Sequence, residues 1–297
     1  MTIINSMKKA VIDIGSNSVR LMLAERGFSG RKSIAVTRLS EGLSAIGRLS
    51  PAATERTVNA VKAFAAQAGE WGAEITYVFA TEAVRSASNG KDFCIALESQ
   101  TGLTAHVLTG EQEALSAFAG VSGLFPEETA GVIDIGGAST ELTVGAGDDV
   151  SFCKSIGIGA VGLLERAGRD RAELEKIIAS KLGELGEVPP FGRFAAVSGT
   201  ATALAQFDLG LREYSPSLTH MHTLSASRLG ALTDKLFSLT VEEIAALGTI
   251  HPSRADVIAG GALLLQRAAE RLGRAEVTVS EWDNLEGYLL LKETGRL

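Results

Sequence analysis

One segment of this chain is repeated: AVIDIGSNSVRLMLA (Ala10 to Ala24) returns 121 residues later as GVIDIGGASTELTVG (Gly131 to Gly145), with seven of fifteen positions identical. Whatever fold the chain adopts must accommodate that segment twice. Each copy reads as strand, tight turn, strand: a β-branched run before Asp13 or Asp134, a small polar turn, then a second alternating run. A weaker pair, YVFATEA (Tyr77 to Ala83) and AVSGTAT (Ala196 to Thr202), follows at an offset of 119, with Val78/Val197 and Thr81/Thr200 matched. Amphipathic helices lie between the motifs. One starts after Ser50 with Pro51 at its first position and carries Val58, Val61, Phe64, Ala68 and Trp71 at helical spacing. Strands and helices therefore alternate in each half, and a period this long is no solenoid repeat. The predicted fold is α/β: two duplicated domains with a cleft between them, residues 1–123 and 124–297. The boundary is expected in the loop Ser122 to Thr129, where Pro and acidic residues separate a helix from the second hairpin, and the last helix is expected to cross back to the first domain.

At 297 residues, each half is long enough to bury its own core. A net charge of −7 argues against general nucleic-acid binding, which needs many Lys and Arg contacts to phosphate. An anionic ligand would have to be held locally, by loops, arginines and metal. The apolar runs are too short to span a membrane, and MTIINSMKKAVIDIG lacks the apolar core of a signal peptide, so a cytoplasmic location is expected. Cys94 and Cys153 have no C-x-x-C partner and read as buried free thiols, and the four histidines match no metal spacing.

The chemistry is expected at the two turns, Gly15-Ser16-Asn17-Ser18 and Gly136-Gly137-Ala138-Ser139. Successive N–H groups in such a turn form an anion nest, and glycine lets an oxyanion approach. Asp13 and Asp134 each end a buried strand beside a nest. A carboxylate there needs a partner, for which hydrated Mg²⁺ between facing loops is suited. In the repeat, Arg20 and Glu141 occupy equivalent positions with opposite sign. One half can thus offer a cation to phosphate while the other offers a carboxylate to metal.

Spaced motifs along nearly the whole chain resemble those of the exopolyphosphatase and guanosine pentaphosphate phosphohydrolase (Ppx/GppA) family. They include DIGSNSVRL (Asp13 to Leu21), RLSEGL (Arg38 to Leu43), ATEAVRSASN (Ala80 to Asn89), TGEQEA (Thr109 to Ala114), IDIGGASTEL (Ile133 to Leu142), VSGTATALA (Val197 to Ala205) and RADVIAGG (Arg254 to Gly261). The resemblance implies an actin-like fold of the sugar kinase, heat-shock chaperone and actin superfamily. It implies hydrolysis of terminal phosphate from polyphosphate, pppGpp or both, with Mg²⁺ or Mn²⁺, and it allows a homodimer. It makes Glu113 the base that deprotonates the attacking water and Arg85 the clamp on the transferred phosphate. Thr200 and a distal Arg254, opening a helix after Pro252-Ser253, would contact phosphate, and Asp13, Asp134 and Glu141 would face the metal. Thr109 and Gln112 supply a capping box at the helix start, which leaves Glu113 available. The chain departs from the family in two places: Ala138 replaces the third glycine of the second loop, and Leu285 replaces an arginine in SEWDNLEG. Two other readings remain, a kinase of the same superfamily and a (p)ppGpp- or polyphosphate-binding protein with little turnover.

Overall fold

A computed structural model describes residues 7–297. The expectation about a signal peptide rests partly on residues 1–6, which lie outside those described. Among the described residues no helix is long and apolar enough to cross a membrane.

The repeated hairpin nucleates each sheet. In the first half, β1 (Lys9–Ile14), β2 (Ser18–Ala24) and β3 (Arg31–Val36) form an antiparallel meander. It is followed by α1 (Leu43–Ile46), α2 (Pro51–Trp71), β4 (Ile75–Ala80), α3 (Glu82–Ser86), α4 (Gly90–Thr101), β5 (His106–Val107) and α5 (Gly110–Ser122). The second half repeats the meander with β6 (Ala130–Ile135), β7 (Thr140–Ala146) and β8 (Asp149–Ile156). It continues through α6 (Ala160–Ala167), α7 (Arg171–Gly183), β9 (Arg193–Val197), α8 (Ser198–Asp208), α9 (Pro216–Thr219) and β10 (Thr223–Ser225). It ends with α10 (Ala226–Ser238), α11 (Val241–Ala246), α12 (Ile258–Arg271), β11 (Glu276–Val279) and α13 (Asn284–Glu293). The first sheet has the order β3-β2-β1-β4-β5. The second, β10-β11-β9-β6-β7-β8, is the same arrangement with one further edge strand. Every residue of β1 and β6 is buried, because helices cover both faces of the sheet.

Register confirms the strong repeat and corrects the weak one. Asp13 pairs with Arg20 and Asp134 with Glu141, so the equivalence read from sequence is a true equivalence in space. In the parallel ladders, however, Asp13 faces Phe79 and Asp134 faces Val197. The YVFATEA and AVSGTAT strands therefore align one residue away from their sequence match, since hydrogen-bond register and not residue identity fixes the ladder. Helix α2 forms as its spacing predicts: Ser50 caps it by accepting from Ala53 N at 3.2 Å, and Val58, Val61, Phe64 and Ala68 are buried. Both cysteines are free but only half-buried.

Two helices are exchanged between the sheets. Although α5 ends the first half, Ala117, Phe118 and Val121 pack with Ala130, Val132 and Ala195 of the second sheet. Conversely, Leu285, Tyr288 and Leu289 of α13 pack on Val11, Met22 and Phe79 of the first, with the Tyr288 ring stacked 4.5 Å from that of Phe79. Each of the larger aliphatic and phenylalanine side chains among these contributes roughly 1.5–3 kcal/mol by leaving water. The two helices cross where both lack side chains. A Cβ on Gly120 would stand 2.2 Å from the Asp283 carbonyl oxygen, and one on Gly287 would stand 1.7 Å from that of Ser116.

Candidate active site

The two turns face each other across a cleft. They are built alike: Gly15 N donates to Ser18 O at 3.0 Å and Gly136 N to Ser139 O at 3.0 Å. Their carbonyls are occupied from behind. Thr37 N and Arg38 N hold Asn17 O, Ser40 N holds Ser16 O, and the start of α6 holds Gly136 O and Gly137 O. A side chain on Gly137 would come within 2.9 Å of Ser16 Cβ, so the loops meet only because that position is glycine. Ala138 does not have a positive φ, so its backbone is not held in the left-handed conformation that would call for glycine.

The carboxylates lie between the loops. Asp13, Glu113 and Asp134 line the cleft, whereas Glu141 stands behind Asp134 and Arg85 behind Glu113. Glu113 sits in the first turn of α5, whose start is closed by the Thr109 and Gln112 capping box, and is 6% exposed. Its carboxylate accepts from Arg85 Nη1 at 3.0 Å. Arg85 also donates to Leu108 O at 2.5 Å and to Glu82. Burial works against the Arg85 charge, but Glu113 and Glu82 outweigh it and raise its pKa. Burial, then the charge of Glu141, lifts Glu113 well above the ordinary carboxylate range. Burial and the charge of Asp134 raise Glu141 as well. Asp134 is pushed up to about 6 by burial, against the opposing effects of the Ser198 hydroxyl and Arg20.

These oxygens fit a hard cation. Asp13 Oδ1, Asp134 Oδ1 and Glu141 Oε2 are buried without a hydrogen-bond donor, although Ser155 Oγ donates to the other Glu141 oxygen at 2.6 Å. Among the described residues no three His, Cys, Asp or Glu side chains gather closely enough to cage an ion. Mg²⁺ does not require that, since it is commonly held by one or two carboxylates, water and substrate phosphate.

The arginines differ from one another. Arg20, expected to face phosphate, donates to Asp13 Oδ2 from Nε at 2.8 Å and from Nη2 at 2.5 Å, and to Asp283 Oδ2 from Nη1 at 2.5 Å. It also contacts Asn284 Oδ1. Arg254 ends a single 3-10 turn (Pro252–Arg254) and does not open a helix, because the α-helical ladder begins only at Ile258. Its guanidinium lies against the start of α8, where a Cβ on Gly199 would fall 2.1 Å from Nη2. No side chain among the described residues hydrogen-bonds that guanidinium, and burial together with Arg20 lowers its pKa. Thr200 lines the cleft, with its hydroxyl 3.5 Å from Ile135 O.

Ser198, Asp283 and Asn284 were not singled out from sequence. Ser198 joins β9 to α8 with a φ of +66°, a conformation that costs a non-glycine residue energy and recurs at functional sites. Its signal was present in VSGT, a strand ending directly in small residues. Asp283 and Asn284 gave none, because their partners lie more than 260 residues earlier.

The sequence and the fold have counterparts among known proteins. The Ppx/GppA phosphatase family model matches residues 29–294. Exopolyphosphatase 2 of Mycobacterium tuberculosis is 31% identical over 95% of this chain and 97% of its own. A bifunctional 3-dehydroquinate synthase/phosphatase of Fusobacterium nucleatum is 27% identical over 96% of this chain and 46% of that longer protein. Among solved structures, an exopolyphosphatase-like protein has a TM-score of 0.90 at 28% identity, covering 98% of this chain and all of the other. The Aquifex aeolicus member of the Ppx/GppA family has a TM-score of 0.80 at 29% identity, over 97% of this chain and 98% of its own. With fold, length and sequence in agreement along nearly its whole extent, the chain belongs to the Ppx/GppA phosphatase family.

Proposed function

We propose that this phosphohydrolase removes the terminal phosphate from inorganic polyphosphate or from a guanosine polyphosphate, with Glu113 as general base. The observation that carries the reading is the buried Glu113 carboxylate at the cleft wall between two facing anion nests, with Arg85 as its only side-chain partner among the described residues. Buried among other acids, Glu113 is a stronger base near neutral pH than an ordinary carboxylate. The amides of the two loops and the Arg254 guanidinium hold the phosphate oxygens. Asp13 and Asp134 would hold a divalent cation together with water and substrate phosphate, with Glu141 behind Asp134, and the cation when bound offsets charge on those oxygens. Glu113 takes a proton from water as the water oxygen bonds to the terminal phosphorus. The bond from that phosphorus to the bridging oxygen breaks, the bridging oxygen stays with the shortened chain, and orthophosphate leaves.

The test is phosphate release from polyphosphates, pppGpp and ATP, with Mg²⁺ or Mn²⁺ and with chelator. Polyphosphate or pppGpp is expected to yield phosphate only with metal. Glu113→Gln should lower kcat by about 10²–10⁴-fold while substrate still binds. Release equal to the metal-free control for both substrates sinks the hydrolase reading, and an unchanged kcat removes Glu113 from the mechanism.

A further inference from the structure

Arg20 is a cation within the cleft where the metal is proposed to sit. It lines the same cleft as Asp13 and Asp134, whose Oδ1 atoms have no donor, and its charge already acts on Asp134. A guanidinium has five N–H donors and pairs readily with two carboxylates at once. Swung between Asp13 and Asp134, it would satisfy both and exclude a divalent cation. It does not lie there. Two acceptors at the start of α13 hold it back: Asp283 Oδ2, 2.5 Å from Nη1, and Asn284 Oδ1. The other Asp283 oxygen is fixed too, accepting from Leu285 N at 2.9 Å and lying 3.8 Å from Lys32 Nζ. The carboxylate therefore cannot follow if Arg20 moves.

We propose that Asp283 and Asn284 are positioning residues that hold Arg20 on Asp13 and away from Asp134, keeping the facing aspartate oxygens open to a divalent cation. The inference rests on the metal reading above and adds to it a cause for the cleft's openness. The holding residues come from the far end of the chain, so the hairpin cannot arrange its own arginine. It needs α13 docked on the first sheet.

The test is Mn²⁺ binding to the full-length protein without substrate, followed by electron paramagnetic resonance or calorimetry, for wild type, Asp283→Ser and Asp283→Asn. Serine keeps an N-cap oxygen for α13 but is too short to hold Arg20, whereas asparagine still offers Arg20 an acceptor. Asp283→Ser is expected to bind Mn²⁺ about 10–100-fold more weakly, the usual effect of losing a group that orients a metal-ligating carboxylate. Asp283→Asn should bind close to wild type. Asp283→Ser binding as tightly as wild type overturns the inference and leaves the metal reading standing. Asp283→Asn as weak as Asp283→Ser also overturns it, since charge and not the hold on Arg20 would then set affinity. No Mn²⁺ bound by wild type defeats both. Should Asp283→Ser fail to fold, Asn284→Ala reports the same hold with the cap untouched, and tight binding by that variant counts against the inference.

Discussion

Gly199 owes its importance to a missing atom, since the Arg254 guanidinium fills the space its side chain would take. Gly199→Ala should displace Arg254 with little loss of stability, because the clash is with the end of a flexible side chain. One charge-assisted hydrogen bond is worth about 1.5–3 kcal/mol, so KM for the polyphosphate substrate should rise about tenfold or more. Steady-state kinetics beside Arg254→Ala checks this, and an unchanged KM in both would detach Arg254 from substrate. The equivalence of Arg20 and Glu141 was legible in the sequence because a hairpin is local, and the structure adds that they lie across from Asp13 and Asp134. What Arg20 does with its remaining donors was not legible. Asp283 and Asn284 reach it only through tertiary packing, and no spacing pattern announces an acceptor from another part of the chain.

The α5 and α13 helices touch backbone to backbone at Gly120 and Gly287, and this contact links Glu113 to Asp283. Gly287→Ala would drive a methyl group into the Ser116 carbonyl, which cannot rotate away. It should cost about 1–3 kcal/mol or more in stability and lower kcat by shifting α5, although neither helix glycine touches substrate. Thermal melting and kinetics together read this, and wild-type values for both would mean the crossing is looser than described. Leu285 makes sense here: it is fully buried among Val11, Met22 and Phe79, where an arginine would need a partner for its charge. Helix boundaries marked by caps, as at Ser50 and Thr109, could be read in advance. The sheet that α5 covers could not, because an apolar stripe says that a helix is buried without saying against what.

The acids of the cleft make the whole molecule sensitive to pH when metal is withheld. Asp134, Glu113 and Glu141 all have pKa values raised by folding, so above the ordinary carboxylate range the native state binds more protons than the unfolded chain. Their stabilising contribution is complete at low pH and is lost as pH rises through the raised values, near 6 for Asp134. Between pH 5 and pH 8, Asp134 alone loses about 1.4 kcal/mol of this contribution, and Glu113 and Glu141 add to the loss. In chelator, Tm should therefore fall by about 5 °C or more between pH 5 and pH 8, and Mg²⁺ should restore it at the upper end. A flat Tm in chelator would show that these groups titrate normally. The exchanged helices carry a further consequence, for the order in which the protein can be made. The face of the first sheet formed by Val11, Met22 and Phe79 stays uncovered while the ribosome adds everything up to Leu285. Synthesis of the first half alone therefore cannot yield a finished unit, and the nascent chain carries a bare apolar face until its last helix emerges.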